Sequence, residues 1–210
     1  GNKMASLKEV AKDVCENAIN NNSQVSIMAF EGDCNFPIDT ILDFTNNVND
    51  VDNFINSLNV GGRTPMYNAY ILASKHIDKN AEPNSNKMML LMTDGDATSC
   101  NKTLDEALEA IRYNRNKVQT QTIAFMVDSG SVAYNDLNKI STYTGGELFH
   151  VENTTSLKSS FSKATSNLYG MGTNSTKKDI YTINLPDHLR PDLVATVAGK
   201  LLDSKNNPID

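Results

Sequence analysis

The chain has 210 residues, 39% hydrophobic and 21% charged, with 11 Gly and 6 Pro, the profile of one globular domain with a small appendage. Nineteen Lys and Arg against 25 Asp and Glu leave a net charge of -6, and the densest basic run is the pair Lys177-Lys178, which argues against a nucleic-acid partner. No stretch approaches the roughly eighteen apolar residues that a membrane span needs, and the opening GNKMASLKEVAKDV has no signal-peptide pattern.

In chain order, residues 3–20 predict an amphipathic helix, with Met4, Leu7, Ala11, Val14 and Ala18 at three- and four-residue spacing, stopped by Asn20-Asn21-Asn22-Ser23. VSIMAF (Val25 to Phe30), the turn Glu31-Gly32-Asp33 and the alternating Pro37 to Phe44 predict a hairpin at a sheet edge. A short helix is expected over Asp50 to Leu58. Gly61-Gly62-Arg63-Thr64-Pro65 breaks the pattern, and a helix resumes over Met66 to Ile77.

Lys87 to Met92 is a continuous apolar run ending in Thr93-Asp94-Gly95-Asp96, the signature of a buried parallel strand with polar residues at its tip. Thr103 with Glu106 forms a capping box that opens a helix to Asn114. A strand over Gln121 to Val127, a helix over Asn135 to Tyr143, a strand over Glu147 to Val151 and a helix over Leu157 to Tyr169 follow. Strands alternating with helices imply a mostly parallel sheet covered on both faces, with ligands gathering beyond the carboxyl ends of its strands. Residues 170–178 read as a linker, and 179–210 as a β-rich segment that starts a second domain.

The two loops that could carry chemistry are Gly61 to Pro65 and Thr93 to Asp96, because their hydroxyls and carboxylates are the hard oxygen donors that Mg²⁺ prefers. Taken singly, each is also an ordinary turn. Neither a zinc site nor an enzyme is indicated. Cys15, Cys34 and Cys100 lack metal-ligand spacing, and the chain offers no activated nucleophile, phosphate cradle or paired acid and base.

Taken together, the hairpin VSIMAFEGD...IDTILDF, the helix entry GGRTPMYNAYILAS, KMMLLMTDGDATS, QTIAFMVDSG and STYTGGELFHVENTTSLKSSF resemble the von Willebrand factor A (vWA) domain family over residues 1–169. The resemblance implies an α/β, Rossmann-like fold with a mostly parallel central sheet, one antiparallel edge strand and helices on both faces. It also implies a protein-binding or adhesion role at a metal-ion-dependent adhesion site holding Mg²⁺ or Mn²⁺, completed by an acidic residue of a protein partner. Thr64 and Asp94 fall at the second and third of that site's three loops, as metal ligands. Arg63 and Asp96 are candidate partner contacts, with Asp96 alternatively capping Thr98 and Ser99.

The sequence as given opens at Gly1-Asn2-Lys3-Met4, inside the entry of the first helix, so the family's first motif, Asp-x-Ser-x-Ser at the end of the central strand, is missing from it. The expectation is therefore a domain lacking its central strand, with metal binding conditional on that motif being supplied. The strand would come from a preceding segment, from another chain, or from the tail, where Leu193 to Leu202 is a candidate. The alternative function is a structural assembly subunit completed by a neighbour's strand, without functional metal. VAGKLLDSKNNPID is similar to the opening strands of a carboxypeptidase-regulatory-like β-sandwich. With four sequons at Asn21, Asn101, Asn153 and Asn174 among 27 Asn, and a conceivable Cys34 to Cys100 bridge, it favours an extracellular or cell-surface location.

Overall fold

The computed structural model describes residues 2–30, 40–59, 64–82, 87–97, 100–114 and 118–170. Gly170, expected to open the linker, ends α6 (Thr154–Gly170) instead; the rest of the expected linker, the second β-rich unit, Arg63, Cys34 and the candidate tail strand lie outside these residues.

The first helix, α1 (Asn2–Asn20), ends where the sequence predicts. Asn22 takes a left-handed φ of 60°, and the amides of Asn22 and Ser23 bond back to the carbonyls of Ile19 and Ala18, so asparagine stands where a helix C-terminus usually places glycine. Strands β1 (Val25–Ala29) and β2 (Thr40–Thr45) form an antiparallel pair. Helix α2 (Val48–Ser57) is capped by the Asn47 side chain, and α3 (Met66–Asn80) begins directly after Pro65.

Strands β3 (Lys87–Thr93), β4 (Val118–Phe125) and β5 (Leu148–Val151) form a parallel sheet in which Lys87 pairs with Val118 and Thr122 with Leu148. Between them run α4 (Leu104–Arg112), which carries the predicted Thr103–Glu106 capping box, and α5 (Val132–Tyr143). Helix α6 (Thr154–Gly170) follows β5.

Period-two alternation in β3 sorts its side chains into two cores. Met89 and Leu91 pack with Met66, Tyr70 and Ile77 of α3, Ile111 of α4 and Leu137 and Ile140 of α5. Leu90 and Met92 face the other way, toward Val10 of α1 and Leu157 and Phe161 of α6. The sheet is thus buried on both faces, which is why β3 reads as unbroken apolar sequence.

Among the described residues the expected sheet is hydrogen-bonded in two parts, the antiparallel β1–β2 pair and the parallel β3–β4–β5 sheet. Val25 and Ile27 of β1 share a cluster with Met88 of β3 beneath α1 and α2, while Phe30 and Phe44 share the α3 core with Met89 and Leu91. Yet among the described residues β1 is bonded only to β2, and β3 only to β4. Among the described residues, hydrogen bonding of the layer is interrupted between β1 and β3.

Candidate functional site

The βαβ hand brings the amino ends of α3, α4 and α5 to the carboxyl end of the parallel sheet. Two contacts fix that end. Tyr67 Oη, in the first turn of α3, donates to Asp136 Oδ2 of α5 at 2.6 Å, and the Ala133 amide of α5 donates to Asp96 Oδ1 at 2.8 Å.

Asp94 follows β3 directly and is exposed. Its turn is shaped by Thr93, whose buried hydroxyl donates to the Gly95 carbonyl at 3.0 Å and accepts the Gly95 amide at 3.3 Å. Thr64 is half-buried, and its carbonyl accepts the Met66 amide at 2.8 Å as the chain enters α3. Thr64 and Asp94 therefore belong to loops at the same end of the sheet.

Asp96 serves as an additional acceptor at the amino end of α5, where Ser131 already caps the Tyr134 amide. A carboxylate there is favoured by the helix dipole. Its anticipated alternative partners, Thr98 and Ser99, lie outside the described residues, as does Arg63.

Sequence reasoning passed over Tyr67 and Asp136. The Tyr67 phenol is held protonated well above its ordinary range, first by burial, then by its hydrogen bond to Asp136, with Asp96 adding to the effect. A trace of Asp136 is present in the sequence, since Ala133, Asp136, Leu137 and Ile140 follow the inward stripe of α5 and a carboxylate on such a stripe needs a partner. No local signal points to that partner, 69 residues earlier.

A hydroxyl and a carboxylate are the right kind of donor for a hard divalent cation, but two donors are too few. Among the described residues no group of three or more His, Cys, Asp or Glu is gathered. The described residues thus supply two of the oxygen donors that such a cation takes.

Cys15 is a free, buried thiol on α1, pushed up to about 12 by desolvation and then by Asp52. Cys100 is disulfide-bonded. His150 Nε2 lies 2.7 Å from the Val127 carbonyl, and its ring meets Tyr134 edge-on, a packing role at the strand end. Among the described residues no helix is long and apolar enough to cross a membrane.

An open parallel α/β layer, covered by helices on both faces and presenting polar loops at the carboxyl ends of its strands, defines the class of this domain. The von Willebrand factor type A domain model matches residues 1–163, and the chain belongs to that family. No match was found among curated proteins.

Similar solved structures include a von Willebrand factor type A protein from Catenulispora acidiphila, 19% identical with a TM-score of 0.64 over 81% of this chain and 38% of that one. The vWF domain of the type V pili tip protein Mfa5 from Porphyromonas gingivalis is 11% identical, with a TM-score of 0.61 over 83% of this chain and 91% of that one. An aerotolerance-related membrane protein from Bacteroides fragilis is 16% identical, with a TM-score of 0.55 over 76% and 88%. At these identities the likeness is one of fold.

Proposed function

We propose that this chain is a non-enzymatic protein-binding domain that recognises its partner with the face carrying Thr64 and Asp94, flanked by Arg63 and Asp96. Domains of this family are commonly interaction modules. The observation that carries the reading is the convergence of the two loops on α5, through Tyr67–Asp136 and Asp96–Ala133, which gives the face a fixed geometry. Where the Asp-x-Ser-x-Ser ligands are supplied, Thr64 and Asp94 add to them around Mg²⁺ or Mn²⁺, and an acidic residue of the partner completes the coordination.

The test immobilises the domain and asks which proteins of its source extract elute with EDTA but not with salt of equal ionic strength. Asp94→Ala should lose that set, whereas Asp105→Ala, on the first turn of α4, should keep it. Retention through both EDTA and Asp94→Ala removes the metal bridge. Titration with Mn²⁺ alone then reports whether the chain as given holds a cation.

The interrupted layer favours a second reading, a structural subunit whose sheet is completed by a strand from a neighbouring chain. Among the described residues no strand bonds β1 to β3; an open strand edge is costly, and strand addition relieves that cost. Intact mass and sedimentation separate the readings: a stable complex of two polypeptides supports the assembly role, and one longer monomeric chain excludes it.

An extracellular or cell-surface location is supported by the disulfide at Cys100, for which we propose Cys34 as partner, because disulfides persist in oxidising compartments. Asn21, Asn101 and Asn153 of the sequons are exposed. Two of the similar structures come from a pilus-tip protein and a membrane protein. Residues 179–210 fit the same picture as the start of a second, β-rich domain after a linker at 170–178.

A further inference from the structure

Both hydrogen bonds that hold the recognition face end on the first turns of one helix. Asp136 is 6% exposed and sits on the α5 stripe with Ala133, Leu137 and Ile140, each 0% exposed. Its carboxylate has lost most of its water there. Lys139 stands 3.9 Å away with its side chain 63% exposed, a weak, screened pairing, so the short bond from Tyr67 is the main compensation.

A buried hydrogen bond of this kind, from a neutral phenol to a carboxylate, adds only modest net stability. What it adds is direction, since only one placement of α3 against α5 satisfies it. Three residues earlier on α5, the Ala133 amide fixes Asp96 and thereby the loop that holds Asp94. The charge of Asp96 also reaches the Tyr67 phenol, so the two contacts are close enough to sense each other.

We propose that Tyr67 and Asp136 are positioning residues of the recognition face. Helix α5 sets the spacing between the Thr64 loop and the Asp94 loop, and a partner that displaces either loop shifts α5 and, through it, the other. The inference rests on reading these loops as the recognition face and deepens it by naming what holds them in register. It does not depend on a bound cation.

Hydrogen exchange on the full chain tests it, because coupling must be reciprocal. In Tyr67→Phe, which keeps the ring, the Ala133 amide should exchange about tenfold faster than in the parent while Ile123 and Phe125 in β4 change by less than about twofold. In Asp96→Ala the Ala69 amide, bonded to the Pro65 carbonyl in the first turn of α3, should loosen in the same selective way. Asp136→Asn retains an acceptor for Tyr67 and should restore most of the protection that Asp136→Ala loses.

Ser74→Ala serves as control, since it removes a hydroxyl bonded to Tyr70 within α3. It should not single out Ala133. Exchange at Ala133 that rises in Tyr67→Phe only in step with β4 overturns the proposal, leaving Tyr67–Asp136 as an ordinary packing contact. The two ideas fail separately: partners retained through EDTA and Asp94→Ala count against the metal bridge alone, and uncoupled exchange counts against the α5 linkage alone.

Discussion

Gly146 lies so close to Thr120 that a Cβ added to it would stand 2.0 Å from the Thr120 carbonyl oxygen. The contact closes α5 onto β4: the Gly145 and Gly146 amides bond back to the carbonyls of Thr142 and Ser141, with Gly145 at a left-handed φ of 74°. Gly146→Ala must push backbone against backbone and should destabilise the domain by roughly 2–3 kcal/mol. Gly145→Ala meets open space and carries only the left-handed penalty, about 1 kcal/mol. Urea unfolding of both variants gives the order; equal losses would show that the α5 to β5 turn can move away from β4.

The same region shows why part of the fold was hard to read. Strand β3 announced itself as KMMLLM because both of its faces are buried in apolar cores. Strand β4 was expected from Gln121 but begins at Val118, and its polar Thr120, Gln121 and Thr122 are 0% exposed. Each is satisfied from another element: Thr120 by Tyr70, Thr122 by the Leu137 carbonyl and Gln121 by the Glu147 amide. Residues 15 to 50 positions apart supply these partners, so no local pattern reveals them. Helix α5 was likewise expected from Asn135 but begins at Val132, whose 61% exposure hides it from the apolar stripe. The alternation of strands and helices is enough to put the Thr64 and Asp94 loops at one end of the sheet, whereas Tyr67–Asp136 depends on tertiary packing alone.

Tyr70 and Thr120 offer a direct test of that compensation. Their hydroxyls are 2.9 Å apart in a buried setting, and burial holds the Tyr70 phenol above its ordinary range. Tyr70→Phe leaves the Thr120 hydroxyl with one partner fewer and should cost about 1–2 kcal/mol. The double variant with Thr120→Val removes both polar atoms and should recover part of that loss, giving a coupling energy by double-mutant cycle; strict additivity would mean the bond contributes nothing.

His76 ties the hairpin to α3 in its neutral form. Asn80 Nδ2 lies 2.9 Å from His76 Nδ1, His76 Nε2 lies 3.2 Å from Ser26 Oγ, and the Ser26 hydroxyl donates to the Leu42 carbonyl. The ring stacks on Phe44 at 5.6 Å. With Nδ1 accepting from Asn80 and Nε2 donating to Ser26, each contact is satisfied without a second ring proton. Desolvation lowers the His76 pKa; Asp43, 3.5 Å away and exposed, opposes the shift, and Lys79 reinforces it. The native state therefore binds fewer protons than the unfolded chain below the ordinary histidine value of 6.5, so this contribution is full above that value and is lost as pH falls. Unfolding free energy should decline on acidification from about pH 7 to 5 by less than the ~1.4 kcal/mol per unit set by one proton. His76→Gln should flatten that slope, and an unchanged slope would assign it to other groups.

Thiol chemistry separates the cysteines. Cys15 is buried and held almost wholly as the thiol at neutral pH, so the native protein should react slowly with iodoacetamide. Unfolding without reductant should release Cys15 as the reactive thiol, and reduction should add Cys100 together with its partner. A peptide map linking Cys34 to Cys100 supports the proposed pairing; a disulfide-linked dimer of chains would replace it with an intermolecular bridge.

The interruption between β1 and β3 has its own signature in exchange. In a parallel sheet alternate residues of an inner strand direct their amides to opposite neighbours, and β3 is bonded only to β4 among the described residues. In the chain as given, one alternate set of β3 amides should be protected by β4 and the other should exchange faster by at least about tenfold, despite the apolar cores above and below. A longer chain or a partner strand that fills the layer should equalise the two sets and raise the unfolding midpoint, because it adds backbone hydrogen bonds to the side of β3 away from β4. Uniform protection along β3 in the chain as given would mean that these groups are already satisfied, and would remove the physical case for strand addition.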